Sequence, residues 1–421
     1  MKKIIKLFAV IFILSGFENS FSQSGWSELT FPANSPGIDM HFINSKTGFV
    51  VTYNSEFLKT SDGGLSWTLS QAPDISNTSS VFFINNMTGF LSQGSSVYKT
   101  TNAGANWTRK YYSELNLGLS KIRFANAQTG YACGDYRTII KTNDAGENWS
   151  VVVQSTTGSI ETLYDINVVN SENVYACGFS LFDHPVFIKS SDGGNSWSGT
   201  APGANDHVYF QIYFVDAGTG FLAGGGSQGK LFKTLNGGNN WSRIISSPFV
   251  PYFSSCRFIN ANTGYLGSGS GTIYKTTNGG VNLTAQYSLK STDEIKQIIF
   301  TGNDTGYAIT NQNFLKTITG GSSVGINLIS GITPDKFSLS QNYPNPFNPA
   351  TTISWQLPSA DFVRLKIYNS VGYEVETLVN EKQNAGSYSV NFSAASLPSG
   401  IYFYKLDTEN FSETKKMILV K

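Results

Sequence analysis

The stretch Thr60–Trp67 reads TSDGGLSW, and the chain keeps returning to it. Copies end at Trp107 (TTNAGANW), Trp149 (TNDAGENW), Trp197 (SSDGGNSW) and Trp241 (TLNGGNNW). A weaker copy, TTNGGVNL, ends at Leu283, and a vestige, TITGGSSV, ends at Val324. Successive copies lie 40, 42, 48, 44, 42 and 41 residues apart. A near-constant period in this range marks a stacked or radial repeat architecture. The third position is always a short polar side chain in the six clear copies: Asp62, Asn102, Asp144, Asp192, Asn236 and Asn278. Such side chains fold back onto nearby backbone N–H groups in turns. The fifth position is Gly, which accepts the positive φ that other residues resist. Trp67, Trp107, Trp149, Trp197 and Trp241 supply broad apolar surface to pack beneath a hairpin. Asp and Asn exchange freely between copies, as suits a hydrogen-bond acceptor in a scaffold rather than a charged catalyst.

Outward from the turn, each unit has the same parts. An alternating apolar stretch such as DMHFIN (Asp39–Asn44) or KIRFAN (Lys121–Asn126) comes first. A Thr-Gly-aromatic turn follows, as at Thr47-Gly48-Phe49 or Thr129-Gly130-Tyr131, with ENVY (Glu172–Tyr175) replacing it in the fourth unit. Next come a short strand ending in Lys-Thr, the quoted turn, and a strand beginning at Trp. Four short strands per period of roughly 42 residues predict a propeller blade. The seventh unit lacks its Trp strand, yet GWSELTF, from Gly25, stands unassigned near the N-terminus. That strand is expected to complete the last blade, closing a seven-bladed ring without an open edge between the chain's two ends.

Lys2, Lys3 and Lys6 followed by LFAVIFIL (Leu7–Leu14) predict a secretory signal peptide over 1–22, cut between Ser22 and Gln23. No other run is long enough to span a bilayer as a helix. Net charge is +1 for the chain, and residues 1–22 hold three Lys and one Glu, leaving about −1 on the remainder. That balance carries no basic footprint for nucleic acid. With 42 Gly among 421 residues, the composition suits a turn-rich β protein. Of the three Cys (Cys133, Cys177 and Cys256), Cys133 and Cys177 lie in matching YACG contexts of adjacent repeats; a disulfide between them would suit an exported protein, but the expectation is two buried small apolar groups, since equivalent positions of neighbouring repeats lie too far apart for a bridge. No spacing of Cys and His predicts a metal site, and no cofactor motif is present.

The quoted turns resemble the Asp-box, or bacterial neuraminidase repeat. The longer pattern TGY…G…I-KT-x-DGG-x-x-W resembles the photosystem II assembly and stability factor family over about residues 24–325. That resemblance implies a seven-bladed β-propeller. Related blades also occur in sialidases, xyloglucanases and sortilin-like receptors. Of the six Arg (Arg109, Arg123, Arg137, Arg243, Arg257, Arg364), none precedes the first blades, where a sialidase carries its early one.

Beyond Val324 the period stops. Residues 326–335 read as a linker, and 336–421 as a small immunoglobulin-like antiparallel β-sandwich. The expected division is therefore signal peptide 1–22, propeller 23–325, linker 326–335 and C-terminal module 336–421. The last module resembles the C-terminal sorting domain of type IX secretion substrates. It does so through YPNPFNP (Tyr343–Pro349), Gly372 after IYNSV, AGSYSV around Gly386, LPSGIYFYKL around Gly400, and KKMILVK with Lys415 and Lys416. The resemblance implies type IX machinery as a partner, export through the periplasm, and a secreted or surface-attached product.

Three readings of function stay open. A non-catalytic binding or assembly module at the cell surface fits blades that carry no catalytic set; an assembly factor for a membrane complex, as in the family the repeat resembles, is an alternative to it. A glycan-active hydrolase would need paired carboxylates on a loop face. Rings beside hydrogen-bonding groups on the loops opposite the Asp-box side give the candidate ligand residues Tyr112, Tyr136, Arg137, His184, His207 and Tyr252, for a surface glycan or protein. Phe182 and Asp183 belong to the same loop as His184.

Overall fold

The computed structural model describes residues 25–73, 78–155, 161–181, 184–203, 207–247, 250, 252–289, 293–321, 326–330, 334–394 and 397–421. The expected leader and its cut site, and Phe182 with Asp183, lie outside the described residues. Seven antiparallel sheets follow one another along the chain from Gly37 to Gly321. Blade 1 sets the pattern: inner strand Gly37–Phe42, second strand Gly48–Thr52, third strand Glu56–Thr60, outer strand Thr68–Gln71. The inner strands of blades 2 to 7 are Thr78–Phe83, Leu119–Phe124, Glu161–Val168, His207–Phe214, Phe253–Phe258 and Ile295–Phe300. The outer strand of blade 7 is Gly25–Leu29, which pairs with Phe314–Gly321 through Gly25↔Gly321 and Leu29↔Phe314. The N-terminal strand thus closes the ring, and Trp26, 3% exposed, sits edge-on to Tyr265 and Phe300 of blades 6 and 7.

The turn is a scaffold in atomic detail. In blade 1 the Thr60 hydroxyl donates to Asp62 Oδ1 at 2.8 Å and accepts from Gly64 N at 2.9 Å, while Ser66 N donates to Asp62 Oδ1 at 2.9 Å. Asn236 and Asn278 make the same bonds through their amide oxygens. Gly64 has φ 88°, and a Cβ there would stand 2.6 Å from the Phe314 ring of the preceding blade. The Trp ring packs edge-on between the third strand of the preceding blade and its own inner strand: Trp107 on Phe57 and Phe83, Trp241 on Phe187 and Phe214.

The remaining repeat residues lock blade to blade. The Thr-Gly-aromatic ring stacks on an inner-strand ring of the next blade, as Phe49 does on Phe83 at 3.5 Å and Tyr307 on Phe42 at 3.9 Å. The Lys of Lys-Thr donates to a carbonyl in the next blade's turn: Lys141 to Gly193, Lys275 to Gly320, Lys316 to Gly63.

Two expectations are corrected. Among the described residues blade 4 has three strands, not four: after Trp197, Ser198 alone pairs, with Lys189, before Gly199 (φ 148°). Gly and Pro remove the side chains and N–H groups a fourth strand needs. Residues 326–335 are not wholly a linker. Ile326–Ser330 pairs with Gly386–Ser393 at Ile326↔Val390 and joins a sandwich sheet with Ala350–Leu357 and Ser338–Leu339. The facing sheet orders Glu374–Gln383, Asp361–Asn369, Gly400–Asp407 and Ser412–Leu419, and Trp355, Tyr404 and Met417 fill the core between them. Cys133, Cys177 and Cys256 are free and buried, and burial raises all three thiols far above their ordinary range.

Candidate binding site at the propeller axis

An inner strand has a neighbour on one side only, so its axial edge carries backbone N–H groups that the sheet does not satisfy. The chain caps them from the previous blade. Asp39 Oδ2 accepts from Val81 N at 3.0 Å, Ser80 Oγ from Ile122 N at 3.3 Å, and Asp165 Oδ2 from Ile212 N at 3.1 Å. Gln211 Oε1 accepts from Cys256 N, Ser255 Oγ from Ile298 N, and Gln297 Oε1 from Met40 N. This belt spans six of the seven blade junctions. The seventh position holds Lys121, which cannot accept. Its ammonium instead reaches Asp39, two blades back, at 2.8 Å.

Asp39 is fully buried, and Arg123 adds a second contact at 3.3 Å. Burial alone would raise the Asp39 carboxyl; Arg123 and Lys121, with hydrogen bonds from Lys121 and Ser80, hold it far below the ordinary carboxylate range. Asp165 has no ion pair among the described residues, and burial raises it against the opposing charges of Lys121 and Arg123.

Two residues further along each strand lies a second layer: His41, Phe82, Arg123, Asn167, Tyr213, Arg257 and Ile299. All seven line an axial cavity of about 390 Å³. His41 Nδ1 accepts from Phe83 N at 3.2 Å, and Asn167 Oδ1 from Phe214 N at 3.1 Å. Burial, then the Arg123 charge, push His41 down to about 3, so it is a neutral imidazole at physiological pH. At the other five junctions of this layer the residue is Phe82, Arg123, Tyr213, Arg257 or Ile299, none of which accepts a hydrogen bond through its ring, guanidinium or alkyl group. The N–H groups of Phe124, Val168, Phe258, Phe300 and Phe42 therefore have no acceptor among the described residues. Arg123 lies over Phe82 at 6.0 Å and Arg257 over Tyr213 at 4.5 Å. Among the described residues Asp165 is the sole acid lining the cavity. The layer is thus rich in donors and cations and poor in acceptors.

The cavity lies at the end of the ring that carries the turns. The third strand of each blade runs parallel to the inner strand, so the repeated turn shares an end with the Thr-Gly-aromatic turn. Backbone bonds join them, as Gly63 N to Lys46 O at 2.8 Å and Gly279 N to Asn262 O at 2.7 Å. The six candidate ligand residues do not line this cavity. Tyr112 is 49% exposed at the end of an outer strand, with Arg109 over its ring at 5.3 Å. Tyr136 and Arg137 occupy a hairpin at the opposite end with φ 53° and 55°; Arg137 pairs with Glu161 of blade 4 at 3.5 Å. His184 precedes the third strand of blade 4, and His207 begins the inner strand of blade 5. Tyr252 packs against Phe210 at 5.0 Å. Tyr136 and Arg137 are adjacent in that hairpin, and the backbone of Tyr252 bridges Gly225, next to the Gly226 that pairs with His207. Sequence reasoning missed His41, Arg123, Tyr213 and Arg257, although they share one column of the repeat.

The repeat matches the family model of the photosynthesis system II assembly factor YCF48 over residues 18–167 and 161–291, more than half of the chain. The chain belongs to this family. Residues 341–421 match the secretion system C-terminal sorting domain. A photosystem II assembly lipoprotein Ycf48 of Synechococcus sp. (strain CC9902) is 27% identical over 150 residues, covering 34% of this chain and 44% of that protein. The match thus spans less than half of that relative's length. The solved structure of YCF48 bound to D1 peptide superposes with a TM-score of 0.58 at 21% identity, covering 70% of this chain and 97% of that one. PorZ, a surface component of the type-IX secretion system of Porphyromonas gingivalis, gives 0.52 at 14% identity over 91% of this chain and 59% of its own. A GH74 xyloglucanase from Xanthomonas campestris gives 0.57 at 10% identity, covering 79% of this chain and 59% of that one. At these identities the structural likenesses show the fold. The sorting domain implies export by the secretion machinery to the cell surface or medium.

Proposed function

We propose that the exported propeller is a non-catalytic binding module that takes an anionic, acceptor-rich polypeptide segment at its axial cavity. The observation that carries this is the second axial layer: five backbone N–H groups without acceptors, beside two arginines braced on aromatic rings. A carboxylate or a run of backbone carbonyls supplies what that layer lacks, and charge-assisted bonds to guanidinium are the strong ones. A peptide ligand in a propeller structure of this family agrees with the reading. Asp39 works against hydrolytic chemistry at the axis, because two cations keep it ionised and occupied.

The test is calorimetric titration of the propeller with short acidic peptides, with and without a free C-terminal carboxylate, against Arg257→Gln and Arg123→Gln. Affinity should fall at least about tenfold in either variant, the loss expected for a charge-assisted bond. Peptide binding that is indifferent to both arginines overturns the axial assignment, and release of reducing sugar from polysaccharides overturns the non-catalytic one.

A further inference from the structure

One carboxylate at the axis is left without a charge to answer it. The two cations whose fields reach Asp165, Lys121 and Arg123, are both committed to Asp39, at 2.8 Å and 3.3 Å, and Arg123 also donates to Ile122 O at 2.7 Å. Asp165 itself stands opposite Cys177 on the inner strand of blade 4, 5% exposed, and lines the axial cavity. Its Oδ2 accepts from Ile212 N at 3.1 Å, and its Oδ1 has no hydrogen-bond partner among the described residues. Burial raises the carboxyl, Lys121 and Arg123 oppose that rise, and the Asp39 charge adds to it. The thiols of Cys133, Cys177 and Cys256 also feel the Asp165 charge, and burial keeps them neutral, so they offer nothing to offset it. A buried carboxylate with an open oxygen is costly unless a partner arrives from outside.

The lining beside Asp165 offers neutral donors. The side-chain oxygens of Asn167, Gln211 and Gln297 are taken by backbone N–H groups of the next blade, which leaves their amide N–H groups as the polar atoms they can lend a ligand. Asp165 lies two residues before Asn167, and Asn167 shares its level with Arg123 and Arg257. Two residues of strand rise about 6.7 Å. A ligand held between the arginines therefore meets Asp165 through a group about that far along the axis. Lysine carries a compact ammonium at the end of a four-carbon stem of about that length.

We infer that the axial cavity selects a segment in which one lysine stands among acidic residues, its ammonium docking on Asp165 Oδ1 while the neighbouring carboxylates meet Arg123 and Arg257. The inference rests on the proposed reading of the cavity as a peptide site and names the class of sequence that site prefers. It runs against bulk electrostatics. With Lys121, Arg123 and Arg257 around the axis, a cavity that sensed net charge alone would reject a cation. A gain from lysine therefore reports a specific contact.

The experiment uses three acetylated, amidated pentapeptides, Glu-Asp-X-Asp-Glu, with lysine, ornithine or norleucine at X. Each is titrated calorimetrically into the full chain as wild type, Asp165→Asn and Arg257→Gln. Asp165→Asn keeps an acceptor for Ile212 N, and its Tm is read alongside. The lysine peptide should bind wild type at least about tenfold tighter than the norleucine peptide, the scale of a close desolvated charge pair. Ornithine, one methylene shorter, should fall between them. In Asp165→Asn the lysine advantage should vanish while norleucine affinity holds or rises. Three peptides that bind through Arg257 with no lysine advantage overturn the inference and leave the peptide site standing. So does a lysine advantage that survives in Asp165→Asn. If Asp165→Asn melts far below wild type, the ligand series decides alone, and ornithine equal to lysine overturns the inference. Binding of none of the peptides, or binding indifferent to Arg257, defeats the peptide reading itself.

Discussion

Asp39→Ala tests whether the axial belt holds the ring. The carboxylate is fully buried, contacts Lys121 at 2.8 Å and Arg123 at 3.3 Å, and caps Val81 N at 3.0 Å. Removing it leaves two part-buried cations facing each other and one backbone donor open. Breaking a buried pair from one side costs about 3–5 kcal/mol. A domain of 150–250 residues loses about 2–4 °C per kcal/mol, so a ring somewhat larger than that should melt about 5–12 °C lower. Asp39→Asn keeps an acceptor for Val81 N and should recover part of the loss. The pH dependence is fixed by sign. The folded carboxyl is held below its unfolded value, so its contribution is fully present above about pH 4 and fades only as pH falls toward the depressed folded value. The gap between wild type and Asp39→Ala should therefore be flat from pH 5 to 8. Differential scanning calorimetry across that range is the assay. A Tm change under about 2 °C, or a gap that varies strongly between pH 5 and 8, would refute the reasoning.

Burial raises Glu376 to about 8, and its Oε2 has no hydrogen-bond partner among the described residues. The folded module keeps a proton that the unfolded chain releases, so stability should decline as pH rises from about 4.5 through 8; Glu376→Gln should abolish the decline, seen as equal Tm at pH 5 and higher Tm at pH 8.5. Asp192→Asn should be nearly neutral by chemical denaturation, because Asn holds the same place at 102, 236 and 278, whereas Asp192→Ala should lower the denaturation midpoint by freeing the Ser196 N–H. Deleting Gly25–Leu29 should convert a single sharp melting transition into a broad one at lower temperature, since blade 7 loses its outer strand and Trp26 leaves the Tyr265–Phe300 cluster; an unchanged melt refutes the closure role.

Much of the fold was legible because it repeats. Period, turn chemistry and the stray Trp26 strand each point to a ring, and each is a local signal. The binding layer was not legible in that way. His41, Arg123, Tyr213 and Arg257 converge only when seven strands surround one axis, and no single unit contains two of them. A signal did exist: the column Asp39, Ser80, Lys121, Asp165, Gln211, Ser255 and Gln297 is polar in every unit, just before a buried apolar position. Reading it requires knowing that the inner strand has an unsatisfied edge, which is a property of the assembled ring. The same limit hid the strand Ile326–Ser330, whose partner Gly386–Ser393 lies some sixty residues away, and the three-stranded blade 4, whose turn is intact although the strand after it is missing.

The pairing of Gly25 with Gly321 also orders events in time. The strand that finishes the ring is made first and its partner nearly last, about 300 residues later. Closing so long a span costs about 5 kcal/mol of chain entropy, more than any local hairpin in the blades. Until that moment Trp26 has no cluster to enter, and the third strand of blade 7 shows a bare edge. Blades can form one after another as the chain emerges, but the final ladder cannot zip until blade 7 exists. Folding should therefore end in one slow docking step, after every other strand of the ring is in place.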